Sequence, residues 1–415
     1  AASGDGCSAA CQVEPGFTCT GVPSTCIDPS VQNKVSVAVT GLSGTLGLSL
    51  DGTESLSVTT NATHDFARRY ADGAGYAVTI TGQPAGQACT LGANASGTLS
   101  DDVVVAVTCA NTYTVTNNQA AVIAVGQTNL TSGGQGLSAS KFFVPSGNPV
   151  YHQGKLWVVD RQNNRVLRFN GVPSTMPGTA ELVLGQPDFV TGTNGSGLNQ
   201  MRNPQAIALT DTQLFVADGD NRRILVFNLS GLVSGASAAF AIGSGSGCGP
   251  LTFSTPFGIA VVGTKLVMSD FNQHRVLIWN TIPADGTTVP DLVLGQPNFT
   301  TCTPGTSSTK LRDPYAVFAD GNRLVLSEFT NRRVLVWSPF PTASNTAASV
   351  VIGKPDFTTN TGTASQSVLA QPYAAAMSGE QLFVADTAAN RILVWNTFPT
   401  TNGANADRVI GQADF

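Results

Sequence analysis

The sequence predicts an all-β chain dominated by a β-propeller, with a smaller β-sandwich before it. Three observations carry that expectation. One hairpin phrase returns five times at nearly constant spacing. The runs inside it alternate or stay wholly apolar over four to six residues, which suits strands and not helices. The spaces between the runs are filled with Gly, Ser, Thr, Asn and Pro, the residues of turns.

The hairpins are "LWVVDRQNNRVLRFN" (156–170), "LFVADGDNRRILVFN" (214–228), "LVMSDFNQHRVLIWN" (266–280), "LVLSEFTNRRVLVWS" (324–338) and "LFVADTAANRILVWN" (382–396). An acidic residue closes the first strand of each, at Asp160, Asp218, Asp270, Glu328 and Asp386. An arginine follows five positions later, at Arg165, Arg223, Arg275, Arg333 and Arg391. Successive copies are 58, 52, 58 and 58 residues apart. A Pro precedes a further apolar run at Pro145, Pro204, Pro256, Pro314 and Pro372. A Gly ends another at Gly126, Gly185, Gly243, Gly295, Gly353 and Gly411, most of them opening "GQPDF" or a near copy. One repeat therefore reads as strand a after the Pro, strand b ending in the acid, strand c starting at the Arg and strand d ending in the Gly. Four antiparallel strands at a fixed period are the blades of a propeller.

Residues 113–415 resemble the NHL-repeat propellers. The core pattern is strand b "LFVAD", the turn "xxNxR" and strand c "ILVW", and "LVLGQPDF" is similar to the end of the bacterial version. The second repeat departs from it: "FAIGSGSGCG" lacks the Gln. The resemblance implies a ring that usually has six blades. It also implies that some relatives are lyases holding a metal on the axis through His. With only His64, His152 and His274, no residue of that metal site carries over.

The repeated Asp/Arg pairs read as structure. A catalytic group is needed once, and these stand in every blade. The acid is expected to accept backbone N–H groups of the tight turn. Trp279, Trp337 and Trp395 read as packing between blades. The stretch Asp218-Gly219-Asp220-Asn221 reads as a turn, since the EF-hand spacing is absent. His152 and His274 lie in different blades and could both face the axis, but two His without a third ligand make a poor metal site. Cys248 and Cys302 follow strand d of successive blades and are candidates for a bridge. No metal and no cofactor is expected.

Two regions precede the repeats. Residues 1–30 hold Cys7, Cys11, Cys19 and Cys26 among Gly, Pro and Ser, with almost nothing to build a core. Such a stretch is held by disulfides, and four Cys allow three pairings. "GDGCSAAC" and "PGFTCTGVPSTC" are similar to a cysteine-rich repeat of myxobacterial-type secreted proteins, and the sequence starts inside such a unit. Residues 31–112 contain short alternating runs such as "KVSVAVTGL", "YAVTITGQP" and "VVVAVTC", the pattern of a β-sandwich. This region resembles the Ig-like surface domains of bacterial extracellular proteins. Cys89 and Cys109 flank its last hairpin and are expected to pair.

Composition narrows the partners. Charged residues are only 11% of 415, and the net charge is −5, so no basic stripe serves nucleic acid. No apolar run is long enough to span a membrane as a helix. Eight Cys suit an oxidising compartment. The expectation is a secreted or cell-surface bacterial protein. It is read as a non-catalytic scaffold for adhesion or assembly, such as a surface layer, matrix or fibre subunit. Its partner would be an extracellular protein or its own subunits. A glycan-binding module and a metal-dependent lyase are the alternatives.

The ends leave one question. "AVIAVGQTNL" (121–130) reads as a strand d with no a, b or c before it. Three readings follow: about 45 further residues complete a sixth blade, five blades close alone with a surplus edge strand, or a neighbouring subunit exchanges the strand.

Overall fold

The computed structural model describes residues 18–20, 25–27, 32–84, 87–111 and 116–415. The chain divides into two compact units, Ala1–Thr114 and Val115–Phe415.

In the first unit two four-stranded sheets share one core. One runs in the order Thr63–Ala71, Gln32–Thr40, Val103–Asn111, Gln87–Leu91; the other in the order Glu54–Val58, Leu46–Leu50, Gly75–Gly82, Ser96–Thr98. Gln32–Thr40 and Val103–Asn111 pair in parallel. Val35, Val37 and Val39 point inward at every second position, against Leu46, Leu48, Leu50 and Phe66. Cys89 and Cys109 stand opposite each other on adjacent strands and are joined by a disulfide. Further upstream, Thr18–Thr20 pairs with Thr25–Ile27, with Cys19 opposite Cys26. Cys7 and Cys11 lie outside the described residues.

The second unit is a five-bladed propeller. Blade 1 is Pro145–His152, Lys155–Asp160, Arg165–Phe169 and Leu182–Leu184. Blade 2 is Pro204–Leu209, Gln213–Asp218, Arg223–Asn228 and Phe240–Ile242. Blade 3 is Pro256–Val262, Lys265–Asp270, Arg275–Trp279 and Leu292–Leu294. Blade 4 is Pro314–Ala319, Leu324–Glu328, Arg333–Trp337 and Val350–Ile352. Blade 5 is Pro372–Ser378, Gln381–Asp386, Arg391–Trp395 and Arg408–Ile410. In each the strands lie a-b-c-d, all antiparallel.

Local chemistry explains the repeat. Pro opens each strand a opposite the acid that closes strand b, a position where its missing N–H costs no ladder bond. Between acid and Arg the chain turns through one left-handed residue: Asn164, Arg222, His274, Arg332 or Asn390, with φ between 51° and 57°. Asn tolerates that conformation better than most side chains. Strands b and c carry apolar residues on both faces because each inner blade is sandwiched between two others.

Residues 121–130 form no strand. This corrects the expectation of a surplus strand d. A strand d needs the strand c of its own blade to complete its hydrogen bonds, and none stands beside this segment.

Candidate functional site

The five acid/Arg pairs are buried except at Arg223, which is partly exposed, and the carboxylate–guanidinium distances are 2.7 Å (Arg165–Asp160), 2.8 Å (Arg223–Asp218), 3.3 Å (Arg275–Asp270) and 3.0 Å (Arg391–Asp386). Arg333 and Glu328 make the same contact. The expected N–H partners need correcting. Their backbone donors lie not in their own turn but in the loop entering strand a: Phe143 N–H to Asp160 at 2.7 Å, Arg202 N–H to Asp218 at 2.7 Å, Thr255 N–H to Asp270 at 3.0 Å; the turn contributes a side-chain amide instead, as Asn163 Nδ2 does to Asp160 at 2.8 Å. Arg312 N–H and Gln371 N–H serve Glu328 and Asp386 in the same way. The guanidinium finishes the clamp: Arg165 donates to the carbonyls of Phe189, Ser138 and Lys141 at 2.7, 2.8 and 3.0 Å. In blades 1, 3, 4 and 5 the pair therefore fastens two loops to one hairpin, whereas Arg223 of blade 2 reaches only the loop entering strand a. Burial pushes the carboxyls of Asp160, Asp218, Asp270 and Glu328 upward, against the pull of these bonds and of the Arg charge.

The other singled-out residues are also placed structurally. Trp279, Trp337 and Trp395 are buried between blades, each donating its indole N–H to a carbonyl nine residues on. Trp157 is buried too, under Arg168. Cys248 and Cys302 are disulfide-bonded across successive blades. The two propeller histidines do not meet on the axis. His152 stands 3.3 Å from Asp211, and His274 accepts the N–H of Asp313 through Nδ1 at 3.2 Å. Among the described residues no three His, Cys, Asp or Glu converge on one point.

The feature that sets one place apart from the repeat is the junction of blade 5 with blade 1. Four buried apolar clusters join blades 1–2, 2–3, 3–4 and 4–5. Among the described residues none joins blade 5 to blade 1; blade 1 has a cluster of its own around Leu167 and Phe169. Val166, Ile224, Val276 and Val334 are fully buried against the next blade, whereas the equivalent Ile392 is 37% exposed. Phe383 and Ala385 beside it are only partly covered. On the facing side, Leu156 and Val158 are half-buried where Leu214, Val216, Leu266 and Met268 are fully buried. Near the axis the gap narrows: Asn148 Nδ2 donates to the Ala375 carbonyl at 3.2 Å. The junction is thus a wedge, closed at its inner edge. A cleft of about 350 Å³ opens on its blade 1 side, lined by Val125, Phe142, Leu156 and Val158.

One corner of the wedge is already held. Elsewhere strand d of one blade is gripped by the c–d loop of the next: Val293 N–H donates to Ser344 Oγ at 3.1 Å, and Asn345 N–H returns to the Val293 carbonyl at 2.7 Å. Val351 is gripped likewise by Asn402 and Gly403 at 3.0 and 2.9 Å. In blade 5, Val409 makes both bonds with Asn117 and Asn118, each at 3.1 Å. Residues 117–118 therefore make on Val409 the contact that the c–d loop of the following blade makes on Val293 and Val351. No sequence signal marks the wedge residues. Ile392 reads like its four counterparts and differs only in what faces it.

No family model matches the chain, and no curated protein matches it either. Among solved structures it is similar to a chain of the nidogen/laminin complex, at 16% identity, covering 63% of this chain and 82% of that one, with a TM-score of 0.38. It is similar to virginiamycin B lyase from Staphylococcus aureus at 17% identity, covering 58% of this chain and 62% of that one, with a TM-score of 0.36. It is also similar to a streptogramin B lyase at 15% identity, covering 60% and 65%, with a TM-score of 0.35. The chain thus spans a little under two thirds of both lyases. The expectation that this chain is no enzyme is corrected here, because enzymes stand among the structures it resembles.

Proposed function

We propose that the chain is an extracellular propeller module that works through protein–protein contact, with the wedge between blades 5 and 1 as its docking surface. The observation that carries the reading is Ile392, exposed at a position that is buried in the other four blades. An apolar face that a fold covers everywhere else, and leaves open once, marks an interaction site. Its occupant is a β-hairpin of a partner protein. In the other four junctions the same space holds strands b and c of the following blade. Asn117 and Asn118 already hold the place of that blade's outer loop. Two disulfides and a surface poor in charge support an oxidising, extracellular setting.

A labelled synthetic hairpin of residues 324–338, which fills the equivalent space between blades 3 and 4, tests this directly. It should bind saturably by fluorescence anisotropy, and Ile392→Arg or Val158→Asp should abolish binding while thermal unfolding stays cooperative. No binding, or unchanged binding by both variants, overturns the proposal. Light scattering on the unliganded chain separates the sources of the hairpin: a dimer dissolved by Ile392→Arg makes the partner a second copy.

A further inference from the structure

We propose that one end of the propeller axis is a binding site for a small aromatic carboxylate, with Arg161 as the anion anchor. The site is a cavity of about 240 Å³ lined by the inner strands of all five blades. It borders the wedge, sharing Pro145, Ser146 and Gly147 with the cleft there, but Arg161 and the aromatic wall lie outside that cleft.

The chemistry of the cavity is divided. Phe257, Tyr315 and Tyr373 of blades 3, 4 and 5 form one wall. Phe271 and Phe329 extend it into a continuous aromatic cluster. Tyr315 lies 4.5 Å from Tyr373, 5.6 Å from Phe329 and 5.7 Å from Phe271, centroid to centroid. The Tyr315 hydroxyl is bonded to that of Tyr373, and burial together with this bond pushes it well above the ordinary phenol range. Tyr315 is therefore neutral at any ordinary pH. Opposite them stand Ser146, Asn148 and Arg161 of blade 1.

Arg161 is the only charged residue in the lining. Its Nε is buried without a hydrogen-bond partner, and among the described residues it joins no ion pair. Arg161 as a whole is half-buried, but a guanidinium Nε–H shut away from solvent without a partner is costly and is normally matched by an anion. The planar fork suits a carboxylate, and the aromatic wall suits a flat apolar body. The volume lies under the ~300 Å³ of typical drug-sized pockets, which limits the ligand to a small one.

The repeat itself singles these positions out. The residue after the acid is Arg161, Gly219, Phe271, Phe329 or Thr387; the residue after the Pro is Ser146, Gln205, Phe257, Tyr315 or Tyr373. The residue before each column hardly changes: Pro in every blade, and an acid that is Asp in four blades and Glu in one. A frame is needed five times, but a ligand occupies one axial space and demands a different contribution from each blade.

Calorimetric titration of the full chain with phenylacetate and with its neutral isostere phenylacetamide tests the assignment. Phenylacetate should bind, with the amide weaker by about tenfold or more, as a lost charged hydrogen bond requires. Arg161→Gln should bring the two affinities together. Tyr373→Ala should weaken both ligands alike, which keeps the test decisive if Arg161→Gln does not fold. Absence of binding at millimolar phenylacetate, equal affinity for acid and amide, or a preference that survives Arg161→Gln overturns the proposal.

Discussion

Ile224 and Ile392 occupy one position in blades 2 and 5, with the same side chain, the same strand and the same neighbours along the chain. One is fully buried and the other 37% exposed. The difference belongs to the interface and not to the blade. Every element that a blade builds for itself is complete in blade 5: four strands, the Asp386–Arg391 pair, the Trp395 bond. What blade 5 lacks is supplied elsewhere by a neighbour. A propeller thus has two kinds of stability, one internal to each blade and one shared, and only the shared kind fails at the wedge.

The largest test of that division is on the internal side. If blades differ only at their junctions, removing the frame acid should cost the same in blade 5 as in blade 3. Asp270→Ala and Asp386→Ala each leave a buried guanidinium unpaired, a loss of about 3–5 kcal/mol. Both should appear as equal shifts of the urea midpoint. A much smaller loss for Asp386→Ala would mean that the open wedge already loosens the frame, and the division would collapse. Arg223→Ala should cost less than Arg275→Ala, since Arg223 is partly exposed and its partner can be reached by water.

The shared side is tested by the two isoleucines. Ile224→Ala empties a fully buried position and should cost about 2–5 kcal/mol. Ile392→Ala should cost about 1 kcal/mol, because less of its surface is removed from water. Equal losses would show the wedge to be closed in solution. Adding the hairpin of residues 324–338 at saturation should bring the Ile392→Ala loss closer to that of Ile224→Ala.

The corner at Asn117 gives a smaller effect. Asn117→Ala removes one hydrogen bond to Val409, about 0.5–1.5 kcal/mol locally. Amide exchange should quicken at Val409 and stay unchanged at Val351, which Asn402 grips in the same geometry. If Val409 exchanges as before, residues 117–118 are passengers and the wedge has no prepared corner.

Much of this was legible from residues alone. The phrase from Leu214 to Asn228 and its four copies place strands b and c, the Pro places strand a, and the Gly places strand d. Periodicity shows itself five times over. What a single repeat cannot show is its contact with the next one. Asp160 bonds the loop entering strand a because that loop folds back over the hairpin, and nothing in "VVDRQNNR" encodes the fold-back. "AVIAVGQTNL" has the letters of a strand d, yet a strand is a pairing and not a string. Ile392 looks buried because its column is. The axial residues were visible in principle, as the columns where the repeat changes from blade to blade, but a search for repeats looks for sameness and passes over them.

The smallest prediction is a control on the long loops, which should be indifferent to the wedge. After strand d, Asp188 and Asp356 accept the N–H groups two and three residues on, and Asn298 accepts from Thr300 in the same manner. The turn therefore works with an amide in place of an acid. Bonds from Thr358 and Thr359 hold the Asp356 carboxyl well below the usual carboxylate range. A carboxyl lowered in the folded state contributes stability that is fully present above its unfolded value of about 3.9 and is lost as pH falls through the folded value. Asp356→Asn should keep the turn, fold normally, and show a small deficit at neutral pH that vanishes in acid. The deficit should not change when the hairpin fills the wedge. If it does, the loops communicate with the junction, and the separation between what a blade builds and what its neighbour supplies is less complete than Ile224 and Ile392 make it look.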